Sequence, residues 1–197
     1  GKKSNSNKVK WFTVEDTREW WAKIVEIIEV SAFQKIYKDF LFIFDFSKVR
    51  CKGSFIGGMQ NRPASGPVPL IDALQKCASI KGSNLEPWKQ AMYVDHYLAA
   101  CVLFGGARRS ARMSTKTWRD ENVLEYVQIK RPIEYVGLNV EEVAEYRKKN
   151  NQYGFLWSSN NSITVDSEFW RLLSIGTKDD DYNSDLAVHA RKVFKMI

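Results

Sequence analysis

Apolar positions fall into helical and extended segments that alternate along the chain. Trp20, Trp21, Ile24, Ile27, Ile28 and Ala32 recur at the three-and-four spacing of one helix face. Asp16 or Thr17, just ahead of them, can cap the first turn. Residues 40–46 are aromatic and β-branched between charges, and predict a buried strand. Residues 50–69 hold four of the eleven glycines and three of the five prolines. That predicts a long loop, and loops beyond connector length often carry function. Pro69 suits the first turn of a helix continued by Leu70, Ala73, Leu74, Cys77, Ala78 and Ile80. Lys81-Gly82-Ser83-Asn84 breaks that pattern. Another helix is expected over 87–104. In 109–115, Ser110, Arg112 and Ser114 alternate with Ala111 and Met113, which predicts a strand. Residues 120–129 and 140–149 read as amphipathic helices, 162–165 as a short strand, and 167–175 and 184–197 as helices. The last two are separated by the acidic turn Lys178-Asp179-Asp180-Asp181. Alternating strands and helices point to an α/β architecture, and propensity alone does not choose a barrel.

Composition narrows the class without naming a function. A chain of 197 residues with 44% hydrophobic and 27% charged content can bury one substantial core. The expected division is a polar, frayed segment at 1–10 and one domain over 11–197. No apolar run approaches 18 residues, so no membrane span is expected, and Gly1-Lys2-Lys3-Ser4 lacks the apolar stretch of a signal peptide. Cys51, Cys77 and Cys101 are odd in number and far apart, which argues against a disulfide framework or a zinc site. The expected location is the reducing cytoplasm. The net charge of +7 suits an anionic ligand and also nucleic acid. Its dispersal, with no RNA-binding or zinc-finger pattern, makes a basic nucleic-acid-associated protein the minor reading. His96 and His189 lack metal-ligand spacing and read as structural or solvated.

Candidate chemistry concentrates in Gly105-Gly106-Ala107-Arg108-Arg109-Ser110-Ala111, after an apolar helical run. Glycines permit a close backbone approach, and arginine forks suit phosphate or carboxylate. On these residues alone, a helix C-cap followed by solvated arginines is the simpler reading. Two further segments shift the balance. Upstream stand Phe44-Asp45-Phe46-Ser47-Lys48-Val49-Arg50, Lys52-Gly53-Ser54 and Ala64-Ser65-Gly66-Pro67-Val68-Pro69-Leu70. Downstream stand Tyr153-Gly154 and Trp157-Ser158-Ser159-Asn160-Asn161-Ser162. In this order the segments resemble the catalytic chain of ribonucleotide reductase, most closely its adenosylcobalamin-dependent class. Glu15-Asp16-Thr17-Arg18-Glu19 resembles that family's acidic stretch at a helix start. The likeness runs from about residue 11 to 170.

The resemblance implies part of a ten-stranded α/β barrel, an incomplete one that leaves sheet edges for a partner. It implies the effector-binding portion of the enzyme. Asp16, with Thr17, would bind the ribose of a deoxynucleoside triphosphate effector. Gly57, Gly58 and Arg62 would form the first effector loop. Gly105, Gly106, Ala107, Arg108 and Arg109 would form the loop that couples effector to substrate. Residue by residue the simpler alternatives are a helix cap at Asp16 and Thr17 and a surface Ω-loop around residue 60. The family's radical-cysteine pattern, Asn-x-Cys-x-Glu, is absent, so no catalytic residue is assigned, and no metal ligand either. Cys51 stands where the family has proline, Trp20 where it usually has glycine, and Arg112 where it has glutamate. The run from Ser158 to Ser162 marks the family, and turn-forming Asn and Ser would explain it structurally. The expected function is a fragment of a ribonucleoside di- or triphosphate reductase, contributing the allosteric specificity site. Adenosylcobalamin, a ribonucleotide substrate and the remainder of the reductase chain belong to the complete enzyme. The alternative is a non-catalytic nucleotide-binding or regulatory module derived from it.

Overall fold

The computed structural model describes residues 8–56, 63–102, 112–130, 137–149 and 159–197. They belong to two compact units, Gly1–Ser110 and Ala111–Ile197, each mixed α/β.

In the first unit, β1 (Lys8–Thr13) leads through α1 (Arg18–Phe33) and one 3-10 turn (Lys35–Tyr37) to β2 (Phe40–Asp45). The strands pair in parallel, from Lys8 opposite Phe40 to Thr13 opposite Asp45. A parallel pair needs a crossover, and α1 supplies it. Strand β1 begins inside the stretch expected to fray. Its cations explain the difference: Lys10 Nζ lies 4.9 Å from the Tyr37 and Phe40 ring centroids, and Lys8 lies 5.6 Å from that of Phe40. The ring faces accept charge that composition alone assigns to water. Val9 and Trp11, on the alternate positions, are exposed.

Helix α1 starts where the sequence places it. Thr17 is extended, and its hydroxyl accepts the Trp20 N–H at 3.2 Å. Ile24 is fully buried, with Trp20, Trp21 and Ile28 packed at the margin of the core. Next comes α2 (Val68–Lys81), with Pro69 in its first turn and Leu70, Ala73, Leu74, Cys77 and Ile80 buried. That is the expected stripe without Ala78, which is exposed. Helix α3 (Pro87–Val102) packs along α2.

The loop after β2 has a built root. Phe55 bridges Pro63 in antiparallel fashion, the Gly53 N–H reaches Ala64 O at 2.9 Å, and the Ala64 N–H reaches Ser54 O at 2.7 Å. Gly66 sits at φ +77, where a Cβ would lie 2.9 Å from the Lys52 backbone nitrogen. Gly66→Ala combines left-handed strain with a backbone clash and is expected to cost about 1–3 kcal/mol. Gly53, at φ +90 with open space around it, carries the strain alone. Urea denaturation should therefore rank Gly66→Ala below Gly53→Ala. Equal midpoints would mean that the root has no fixed packing around Lys52.

The second unit runs β3 (Arg112–Thr117), α4 (Val123–Gln128), α5 (Val140–Lys149), β4 (Ser159–Thr164), α6 (Ser167–Ser174), a 3-10 turn (Asp180–Asn183) and α7 (Asp185–Met196). Strands β3 and β4 are parallel, from Arg112 opposite Ser159 to Thr117 opposite Thr164. Strand β4 starts three residues before the expected position. Its Ser and Asn residues favour turns locally, but the ladder to β3 claims their backbone. The core gathers Trp118, Val123, Phe169, Leu172, Ala187, Ala190 and Val193.

One carboxylate ties this core together. Asp166 Oδ1 caps α6 by accepting the Phe169 N–H at 2.9 Å and also accepts Trp118 Nε1–H at 3.1 Å, while Oδ2 accepts from Arg119 Nη2 at 2.7 Å. The Arg119 hydrogen bond, then the cap, holds the Asp166 carboxyl below the usual carboxylate range. His189 Nε2 lies 2.7 Å from Trp118 O, the structural one of the two roles read for it. No helix among the described residues is long and apolar enough to cross a membrane.

Candidate functional site

Because β1 and β2 are parallel, both carboxyl ends lie at one edge of their pair. In α/β proteins that edge is where ligands bind. Here the chain leaves β1 through Val14–Thr17 into α1, and leaves β2 into the long loop. Between them lies an open cleft of about 400 Å³. Its walls include Asp16, Arg18 and Trp21 at the start of α1, Arg50 and Ile56 after β2, and Ser65 beyond the loop.

Two ion pairs cross from one segment to the other. Glu15 Oε1 accepts from Lys48 Nζ at 2.6 Å, on the exposed side. Asp16 Oδ2 accepts from Arg50 Nε inside the cleft, where the two side chains are 26% and 37% exposed. Arg50 also donates through Nη1 to Phe55 O at 3.1 Å, at the root of the long loop. Thr17 caps the helix and also lines the cleft, and Asp16 lines it with its carboxylate paired to Arg50.

Arg50 is the residue that the sequence reading quotes but does not assign. The available signal was its position six residues into the Phe44–Arg50 stretch, between a strand end and a glycine-rich loop. Cleft and helix together present a carboxylate for a hydroxyl, guanidinium groups for an anion and the Trp21 indole for a flat ring. Gly57, Gly58 and Arg62 lie outside the described residues, as do Gly105, Gly106, Ala107, Arg108 and Arg109. So do Tyr153, Gly154, Trp157 and Ser158. The rest of that marker, Ser159 to Ser162, lies in β4, where Ser159 Oγ donates to Asn161 Oδ1 at 2.8 Å and Lys130 Nζ donates to Ser159 O at 2.5 Å.

The cysteines stand apart from the cleft wall. Cys77 is 2% exposed, and burial pushes its thiol up to about 12. Cys101 is also buried, and its Sγ donates to Leu98 O at 3.0 Å. Cys51 is exposed. Among the described residues no group of His, Cys, Asp and Glu could hold a metal ion.

The chain is similar to proteins of known family. Residues 2–81 match the family model of the B12-dependent ribonucleotide reductase insertion domain. The adenosylcobalamin-dependent ribonucleoside-triphosphate reductase assigned to Mycobacterium phage D29 is 31% identical over 189 residues, covering 85% of this chain and 23% of that protein. The Levilactobacillus brevis enzyme of the same name is 26% identical, over 82% of this chain and 20% of its own. A solved B12-dependent (class II) ribonucleotide reductase shares the fold at a TM-score of 0.59 and 23% identity, over 84% of this chain and 21% of that one. The chain therefore spans about a fifth of the length of the relatives it matches.

Proposed function

We propose that the chain is part of a B12-dependent ribonucleotide reductase, the family it resembles, and that its first unit is the effector-binding part of such an enzyme. The observation that carries this reading is the cleft at the carboxyl edge of β1 and β2, with Asp16, Arg50 and Trp21 on its walls. A deoxynucleoside triphosphate has three parts that match. Asp16 accepts the sugar hydroxyl, Arg50 faces the phosphates together with Arg62, and Trp21 offers a ring face to the base. Gly57 and Gly58 let the loop approach closely, and Gly105 to Arg109 carry the effector's identity to the substrate.

The complete enzyme then reduces ribonucleoside di- or triphosphates in the cytoplasm. The two parallel strand pairs are portions of its ten-stranded barrel. The rest of the reductase polypeptide supplies the radical cysteine and the seat of adenosylcobalamin, the group that initiates the radical. The cleft does not fit that cofactor. About 400 Å³ suits a nucleotide and not a corrin ring with its axial ligands. No step is assigned to the cofactor on this chain.

The test isolates the sugar contact. A dideoxynucleoside triphosphate lacks the one ribose hydroxyl that Asp16 would bind. A charge-assisted hydrogen bond contributes about 1.5–3 kcal/mol. Calorimetry should show the chain preferring the deoxy- over the dideoxynucleotide by at least about tenfold, and Asp16→Ala should abolish the preference. Equal binding of both nucleotides by the parent chain would remove Asp16 from the site.

A further inference from the structure

Of the two arginines that line the cleft among the described residues, Arg18 and Arg50, the second is already engaged. Arg50 Nε is held by Asp16 Oδ2, and Nη1 by Phe55 O at 3.1 Å. Resting on the nucleotide reading of the same cleft, we propose that the Asp16–Arg50 ion pair is an autoinhibitory latch, which a polyphosphate must open to bind. A phosphate oxygen and the Asp16 carboxylate are both anionic acceptors competing for one guanidinium. When phosphate takes Arg50, the carboxylate is released. It is then free to accept a sugar hydroxyl, which it cannot do as well while paired. A bare polyphosphate opens the latch but gives Asp16 nothing in return. A nucleotide opens it and satisfies both groups. The latch therefore favours nucleotides over the inorganic anions that share their phosphates. This is discrimination by leaving a partly buried group unpaired in the wrong complex.

Geometry supports the exchange. Both side chains are partly buried, so their attraction is less screened than that of a surface pair. The second contact, to Phe55 O, keeps the Arg50 guanidinium at the cleft when Asp16 lets go. It also places the arginine at the root of the loop closed by Phe55 and Pro63. The neighbouring pair, Glu15–Lys48, bridges the same two segments at 2.6 Å, but neither residue lines the cleft. It provides an internal control, since neutralising Glu15 or Asp16 changes the net charge equally.

The probe is inorganic tripolyphosphate, measured by calorimetry on the full chain, with circular dichroism confirming that each variant is folded. Asp16→Asn should bind it more tightly than the parent, on the order of fivefold, the scale of one partly exposed ion pair. Glu15→Gln should bind it as the parent does. In an Arg50→Gln background, Asp16→Asn should have no effect, because no latch remains to open. Loss of repulsion alone predicts the same tightening with or without Arg50, and that result would overturn the latch, as would an unchanged affinity in Asp16→Asn. A measurement on the parent protein needs no variant: the Arg50 Nε–H resonance must shift as tripolyphosphate saturates, and a stationary resonance overturns the proposal. The nucleotide reading stands or falls separately. If tripolyphosphate follows this pattern while deoxy- and dideoxynucleotides bind equally, the latch holds and the sugar assignment to Asp16 is lost.

Discussion

Trp118→Ala is expected to cost the second unit about 3–5 kcal/mol, the range for deleting a large buried aromatic side chain. Trp118 is 1% exposed at the centre of a cluster drawn from α4, α6 and α7. Its ring meets Phe169 edge-on at 5.2 Å between centroids and lies against His189 at 6.3 Å. Its Nε1–H reaches Asp166, and the Arg119 guanidinium lies 4.6 Å from its ring centroid. The substitution removes packing, leaves a cavity and takes one donor from the carboxylate that caps α6. A small domain has about 5–15 kcal/mol in total, so the loss is a large part of it. Trp170 is the contrast. It is 54% exposed although it touches Phe169, at 5.3 Å, and Phe194, at 6.5 Å. Trp170→Ala should stay within about 1 kcal/mol. Urea titration of both variants by circular dichroism decides the matter. Similar small losses would show that the Trp118 cluster is not the core of this unit.

The legible parts of the fold are those where local pattern and tertiary packing agree. Helix α1 joins a Thr cap to an apolar stripe, and α2 joins Pro69 to a stripe of which five members are buried. Strand β2 is apolar enough to be read without a partner. Strand β1 is not, because its lysines are placed over aromatic rings contributed by residues some 30 positions away. No window of sequence contains that pairing. The start of β4 is hidden for a related reason: Ser159-Asn160-Asn161 has turn chemistry, and only the ladder to β3 makes it a strand. At the cleft, Asp16 was legible through a family likeness, and its chemistry was not. Its partner Arg50 lies 34 residues away, across a crossover that brings two loop starts to one edge. Charge spacing along the chain carries no trace of that ion pair.

The largest functional effect is expected to be complete. Purified alone, the chain should form no deoxyribonucleotide from ribonucleoside di- or triphosphates, even with adenosylcobalamin, a dithiol and an effector. The deficit against a working enzyme would be at least about a millionfold. Thiyl-radical reduction needs a cysteine sulfur within reach of the substrate sugar and a second pair of thiols to supply electrons. The Asn-x-Cys-x-Glu pattern of the radical cysteine does not occur in these 197 residues. Cys77 and Cys101 are buried, and Cys77 is held as a neutral thiol. Cys51 is exposed but is one thiol, where reduction needs three. The assay is chromatographic detection of deoxyribonucleotide against a blank without protein. Its control replaces Cys51 by serine and Cys77 and Cys101 by alanine in one chain. Turnover that persists in this control comes from a contaminant. Turnover by the parent that vanishes in the control would place the radical chemistry on this chain and overturn its assignment to the rest of the enzyme.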